Sequence, residues 1–178
     1  HSTSRRQRQM CIRDSNNGGE VLVFKIPRKD IKYYDSDTVS VLANISKCSN
    51  KFECDDTLDL MNFNEEEHIG LLLHQIGTEK PHFKRVIDPK DINRVLCVKV
   101  KQNNPRIINQ SGAFLLFGIN KVKGVMADLD SSWLPLSDKL FIHDKKKIRN
   151  DLELMGITAS FVYPEMENYS KKLKEIYK

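Results

Sequence analysis

Hydrophobic positions along this chain switch between a short period and a helical one, and the switches mark its elements. Val21 to Ile26 (V-L-V-F-K-I) is a short apolar run with β-branched members, which predicts a buried strand stopped by Pro27. From Asp35 to Lys47 the apolar positions Val39, Leu42 and Ala43 recur at helical spacing, with Val41 and Ile45 alongside. Ser36 or Asp37 can cap that helix, and Lys47 suits the negative end of its dipole. Ser49 to Phe63 is polar and irregular, so it predicts a loop with one short turn at most. Asn64 then caps a second helix. Glu65, Glu66 and Glu67 fall in its first turn, where the dipole favours anions, and Ile69, Leu72, Leu73 and Ile76 form its apolar stripe. Gly77 is its expected end, and Pro81 prevents continuation.

Phe83 to Asp91 reads as a connection with an Asp88-Pro89 turn. Val95 to Val100 predicts a strand that Asn103-Asn104-Pro105 breaks. Arg106 to Gln110 predicts one helical turn, and Ala113 to Ile119 a further strand. Lys139 to His143 predicts a fourth. Asp144 caps a helix to Met155 with Ile148, Leu152 and Met155 on one face, and Gly156 ends it. Thr158 starts a short turn, and Pro164 to Lys178 predicts a charged last helix with Met166, Leu173 and Ile176 on its apolar side. Strands and helices are interspersed without strict βαβ alternation. The expected class is therefore α+β, a single domain with a small mixed sheet flanked by helices.

Composition narrows this picture. With 178 residues, 39% of them hydrophobic, the chain can bury one core. No apolar run approaches the ~20 residues that cross a bilayer, and no signal peptide is visible, so the expected compartment is the cytoplasm. Arg5 to Asp14 (R-R-Q-R-Q-M-C-I-R-D) matches the translation of a sequencing-adapter ending, so residues 1–15 are read as a non-native segment and 16–178 as the domain. On that reading the coding frame begins inside a gene, and the expectation is an inactive, poorly folded fragment. Arg5, Arg6, Arg8 and Arg13 against Asp14 account for +3 of the formal +5, leaving +2, which weakens any case for nucleic acid as a partner. Cys48, Cys54 and Cys97 fit no zinc spacing and no disulfide framework; they read as reduced thiols, with Cys97 in the core.

The chemistry is sparse. His68 and His74 lie six residues apart, on different helix faces, and make no metal pair; His82 and His143 are isolated. Asp35-Ser36-Asp37 is explained by a helix cap, with a site-facing role for Tyr33, Tyr34 or Asp35 as the alternative. The lysine runs at Lys145-Lys146-Lys147 and Lys171-Lys172 read as solvated faces. No glycine-rich phosphate loop and no Gly-x-Ser-x-Gly is present. Asn104 to Gly118 stands out, because a polar turn with one Arg and one Gln runs through a glycine into an apolar strand. Arg106 can donate a planar fork to a phosphate or carboxylate, Gln110 can hold a sugar hydroxyl, and Gly112 lets the backbone turn sharply or a ligand come close. Equally, Arg106 and Gln110 could simply tie down the turn.

Asp35 to Asn44 (D-S-D-T-V-S-V-L-A-N), Leu73-His74-Gln75-Ile76 with Glu79-Lys80-Pro81, Asn104 to Phe114 (N-P-R-I-I-N-Q-S-G-A-F), and the ending Tyr163-Pro164-Glu165-Met166-Glu167 together resemble the C-terminal half of FRG-domain proteins. The resemblance covers nearly all of residues 19–177. The family's early aromatic-Arg-Gly, its Gln-His-Tyr-Gly and its Thr-Arg-Leu-Leu-Asp-Trp stretch do not occur here. The resemblance implies a bacterial or phage protein of toxin or defence type. Motif order in the family is similar to that of ADP-ribosyltransferases, which implies that architecture, NAD as cofactor and no metal. Gln110 then takes the late catalytic position, touching the ribose 2′-hydroxyl, and Arg106, Gly112, Tyr34 and Asp35 take substrate-binding positions. The implied partner is a macromolecular acceptor or an antitoxin, with no membrane. The alternative is a noncatalytic binding or regulatory module.

Overall fold

A computed structural model describes residues 19–134 and 139–165, with Ser170, Leu173, Lys174 and Tyr177 beyond them. In chain order the elements are β1 (Gly19–Leu22), a 3₁₀ turn (Arg28–Asp30), β2 (Ile31–Tyr33), α1 (Asp37–Ile45), α2 (Leu60–Glu65) and α3 (Glu67–Glu79). A second 3₁₀ turn (Pro89–Asp91) leads to β3 (Val95–Lys99), α4 (Pro105–Asn109) and β4 (Ala113–Phe117). After a third 3₁₀ turn (Ser131–Trp133) come β5 (Lys139–Ile142), α5 (Lys145–Leu154) and α6 (Ala159–Val162). The architecture is α+β with a small mixed sheet. β3 is central, parallel to β2 and antiparallel to β4, while β1 and β5 form a separate antiparallel ribbon.

The core follows from the two helical stripes. Ile69, Leu72, Leu73 and Ile76 of α3 are all buried against Val39, Val41, Leu42 and Ile45 of α1, and this pair packs on Leu96 and Val98 of β3. A satellite cluster gathers Val95, Ala127 and Trp133, with Ile26 packed beside them. Arg94 ties the entry to the sheet: its Nη2 donates to Asp30 Oδ1 at 2.5 Å and its Nη1 to Asp91 Oδ1 at 2.8 Å. Asp30 is buried, so this fork satisfies a carboxylate that water cannot reach freely.

Several expectations need correction. The run Val21–Ile26 is strand only as far as Leu22. Val21, Leu22, Val23 and Phe24 are exposed instead of buried, because β1 pairs with β5 alone in a two-stranded ribbon. In α1, Ala43 is exposed and Asn44 takes the buried place, with Nδ2 donating to Ser40 O at 2.9 Å and to Glu79 Oε2 at 3.1 Å. Ser36 occupies the N-cap position without a side-chain capping bond. The loop expected over Ser49–Phe63 contains the start of α2, capped by Asp59, whose Oδ1 accepts from Met61 N at 3.0 Å and Asn62 N at 3.1 Å. Asn64 is therefore not a cap. Gly77 lies inside α3, which runs to Glu79 before Lys80-Pro81 ends it. The face expected for Ile148, Leu152 and Met155 is present on α5, but nothing on that helix is buried. Met166, Ile176 and most of the last expected helix lie outside the described residues, as does the segment 1–15.

Candidate functional site

Strand register decides which of the sequence-selected residues meet. Tyr33 pairs with Lys99, and Lys99 pairs with Ala113. The end of β2, the end of β3 and the start of β4 therefore form one row. Adjacent strands lie roughly 4.8 Å apart, so the backbones of Tyr33 and Ala113 stand about 10 Å from each other. Tyr34 and Asp35 leave this row on one side, and α4 with Gly112 enters it on the other. The five candidate positions thus lie on segments that flank the same end of the three-stranded sheet.

Their local bonds are directed at the chain itself. Tyr34 N donates to Lys99 O at 3.0 Å, while the side chain is exposed. Asp35 O accepts from Lys80 Nζ at 2.7 Å, and the same ammonium meets Asp37 Oδ1 at 2.5 Å. Asn104 caps α4 by accepting from Arg106 N at 2.9 Å, and Pro105 sits in the first turn, where its missing N–H is harmless. Arg106, Asn109 and Gln110 stand at i, i+3 and i+4, so they share a helix face. That face holds the segment that follows α5. Arg106 Nη1 donates to Glu165 Oε1 at 3.1 Å, and the guanidinium lies 4.9 Å from the ring centre of Tyr163. Asn109 Nδ2 donates to Phe161 O at 2.6 Å, and Gln110 Nε2 donates to Val162 O at 3.0 Å.

The sharp turn expected at Gly112 is made one residue earlier. The positive φ of this turn belongs to Ser111, at 47°, and a Cβ on Gly112 would meet Ile107 Cγ2 at an ordinary 3.6 Å. Its N–H donates to Ile107 O at 2.9 Å, so it closes the helical turn. The chain sequence singled out Arg106 and Gln110 but missed Asn109, Tyr163 and Glu165 as their company. Asn109 was findable, since it lies on the same face three residues from Arg106. The link to Tyr163 and Glu165 spans more than 50 residues and leaves no local trace.

A concavity of about 620 Å³ lies elsewhere, between the Glu53–Asp55 segment, the start of α3 and Lys121. His68 stacks on Phe52 with ring centres 5.9 Å apart, and its Nδ1 lies 2.9 Å from Glu53 O. Burial, and after it the negative charge of Glu66, Asp56 and Asp55, pushes the Cys54 thiol up to about 12. A thiol held so far from ionisation is no nucleophile. Bonds from the Thr57 hydroxyl and backbone hold the Asp55 carboxyl below its ordinary range. Among the described residues no group of three or more His, Cys, Asp or Glu could hold a metal ion. Cys48, Cys54 and Cys97 are free thiols; Cys97, expected in the core, is half-buried, and Cys54 is the buried one. His74, His82 and His143 are exposed. No helix among the described residues is long and apolar enough to cross a membrane.

Comparison with family models, with curated proteins and with solved structures finds no match to this chain.

Proposed function

We propose that this chain is the C-terminal part of an FRG-domain protein of bacterial or phage origin, and that it serves there as a noncatalytic binding or regulatory module acting in the cytoplasm. Support for the family is the ordered set of segments from Asp35 to Glu167. Support for the module is one observation above all: the Gln110 carboxamide nitrogen sits on Val162 O at 3.0 Å. A ribosyl-transfer centre would turn that group toward a ribose hydroxyl, with Arg106 bracing the site or meeting a phosphate. Here the carboxamide grips the main chain, and the guanidinium lies between a carboxylate and a ring of the same chain.

A second reading keeps one observation in its favour. The segments carrying Tyr34, Asp35, Arg106 and Gln110 flank one sheet end, compatible with the substrate-binding and catalytic positions of an NAD-dependent ADP-ribosyltransferase-like toxin or phage-defence effector. Calorimetry with NAD on the full-length protein separates the two. The module reading expects no saturable heat. It also expects Gln110→Ala to lower the thermal midpoint by a few degrees, roughly the effect of one lost hydrogen bond. Saturable NAD binding that disappears in Gln110→Ala at an unchanged midpoint would establish the transferase reading instead.

A further inference from the structure

Rings and lysines alternate at the end of the sheet where β2 and β3 finish and β4 begins. Tyr33, Lys99 and Ala113 stand side by side across the three strands, in one row and on one face. The Tyr33 ring is 63% exposed, and Lys99 Nζ lies over it, 5.6 Å from the ring centre. Ala113 ends the row with a single methyl group. In the neighbouring row, which faces the other way, Lys32 and Phe114 flank Val98, and Phe114 is 57% exposed. Lys101 is exposed just beyond β3. Among the described residues Lys32, Lys99 and Lys101 take part in no ion pair, whereas Lys47 and Lys80 each hold a carboxylate.

Open rings and lysines without carboxylates are the two halves of single-strand recognition, in which bases stack on rings and ammonium groups follow phosphates. A protein partner suits this surface less, because lysine is depleted at protein interfaces. A duplex suits it less too, because its bases already cover one another. We propose that this end of the three-stranded sheet binds single-stranded nucleic acid, with one base on Tyr33, another on Phe114, and phosphates on Lys99, Lys101 and Lys32. This inference rests on the module reading and gives the module a partner class. An exposed cation–π contact is weak, so the Lys99 ammonium can leave the ring for a phosphate while a base takes its place. The small net charge of the chain does not oppose this. Salt confines each charge to a neighbourhood of about 8 Å, so the local group of lysines matters more than the total.

The test uses the whole chain and fluorescent single strands of about ten nucleotides, oligo-dT and oligo-U, read by anisotropy. Saturable binding of either strand is expected, and the tighter of the two names DNA or RNA as the source. Log affinity should fall against log salt with a slope of about −2, roughly 0.7 for each phosphate held. Tyr33→Ala should weaken binding by about fivefold or more through the lost stack, while Tyr33→Phe keeps it. Lys101→Gln changes an exposed side chain outside any element. It should flatten the salt slope by about 0.7, and it reads the proposal even where Tyr33→Ala unfolds the sheet. Three results overturn the proposal: no binding of either strand, equal binding of polyglutamate, or binding that neither Tyr33→Ala nor Lys101→Gln alters. The last would place the strand on another basic run, such as Arg5 to Arg13. Failure with oligonucleotides leaves the module reading standing, since that reading falls only to saturable NAD heat that Gln110→Ala removes.

Discussion

Asn64 shows what one amide can hold together. Its Oδ1 accepts from Ile87 N at 2.8 Å, and its Nδ2 donates to Ile87 O at 2.9 Å and to Leu60 O at 2.8 Å. Ile87 is buried, and the two bonds to its backbone are partly shielded from water, while the bond to Leu60 is exposed. Asn64→Ala should cost about 1–3 kcal/mol, the penalty for leaving buried backbone groups unpaired. Urea unfolding should show a lower midpoint at an unchanged slope. The sequence marked Asn64 as special but assigned it to a helix cap, because its target lies 23 residues away and a local pattern carries no such address. Cys54 makes a second residue-scale prediction. Its thiol ionises near its ordinary 9.0 when unfolded and near 12 when folded. The unfolded chain therefore loses the proton first as pH rises. The stability tied to the neutral thiol is fully present below 9 and declines as pH climbs through that window toward 12. Midpoints compared at about pH 8 and about pH 10.5 should fall more steeply for the unaltered chain than for Cys54→Ala. Parallel slopes would mean the thiol is not buried as described.

At the level of elements, the stripe Ile69, Leu72, Leu73 and Ile76 was legible because a 3.6-residue period sustained over two turns has few other meanings. β2 was not legible. It has three residues, and what makes Ile31–Tyr33 a strand is its pairing with Cys97–Lys99, more than 60 positions away. α2 was hidden for a different reason: its six residues are too few to display a helical period, and its cap at Asp59 sits in a stretch that reads as a loop. Where strands do pair, the fit is close. Gly118 follows β4 with its N–H on Arg94 O at 2.9 Å, and a Cβ there would stand 1.9 Å from Ile92 O. The obstacle is backbone, which cannot swing aside as a side chain would. Gly118→Ala should therefore destabilise by about 1–3 kcal/mol through forced strand displacement. Chemical denaturation would reveal it, and a neutral result would show that the β3–β4 end yields easily. Gly112→Ala offers the contrast, since its added Cβ meets only an ordinary contact.

Across the whole molecule, burial is concentrated in one half. The main core joins α1, α3 and β3, while the β1–β5 ribbon, α5 and α6 leave Val21, Leu140, Phe141, Ile148 and Met155 exposed. The candidate site sits at the seam, with α4 anchored by β4 on one side and holding α6 by side-chain bonds on the other. Sequence could place Arg106 and Gln110 on one helical turn, but not say what they face, because that depends on how the loosely packed half folds back. Native-state hydrogen exchange reads this asymmetry directly. Amides of α3 and β3 should exchange only through global unfolding, since their side chains form the closed cluster. Those of α5 should exchange through local opening, on the order of 100-fold faster or more, because detaching α5 exposes little apolar surface that water does not already reach. Strengthening the seam should not slow α5, whose helix bonds open independently, but should slow α6, whose hold runs through Asn109 and Gln110. If α5 and α3 exchanged at the same rate, the half described as exposed would have to be covered.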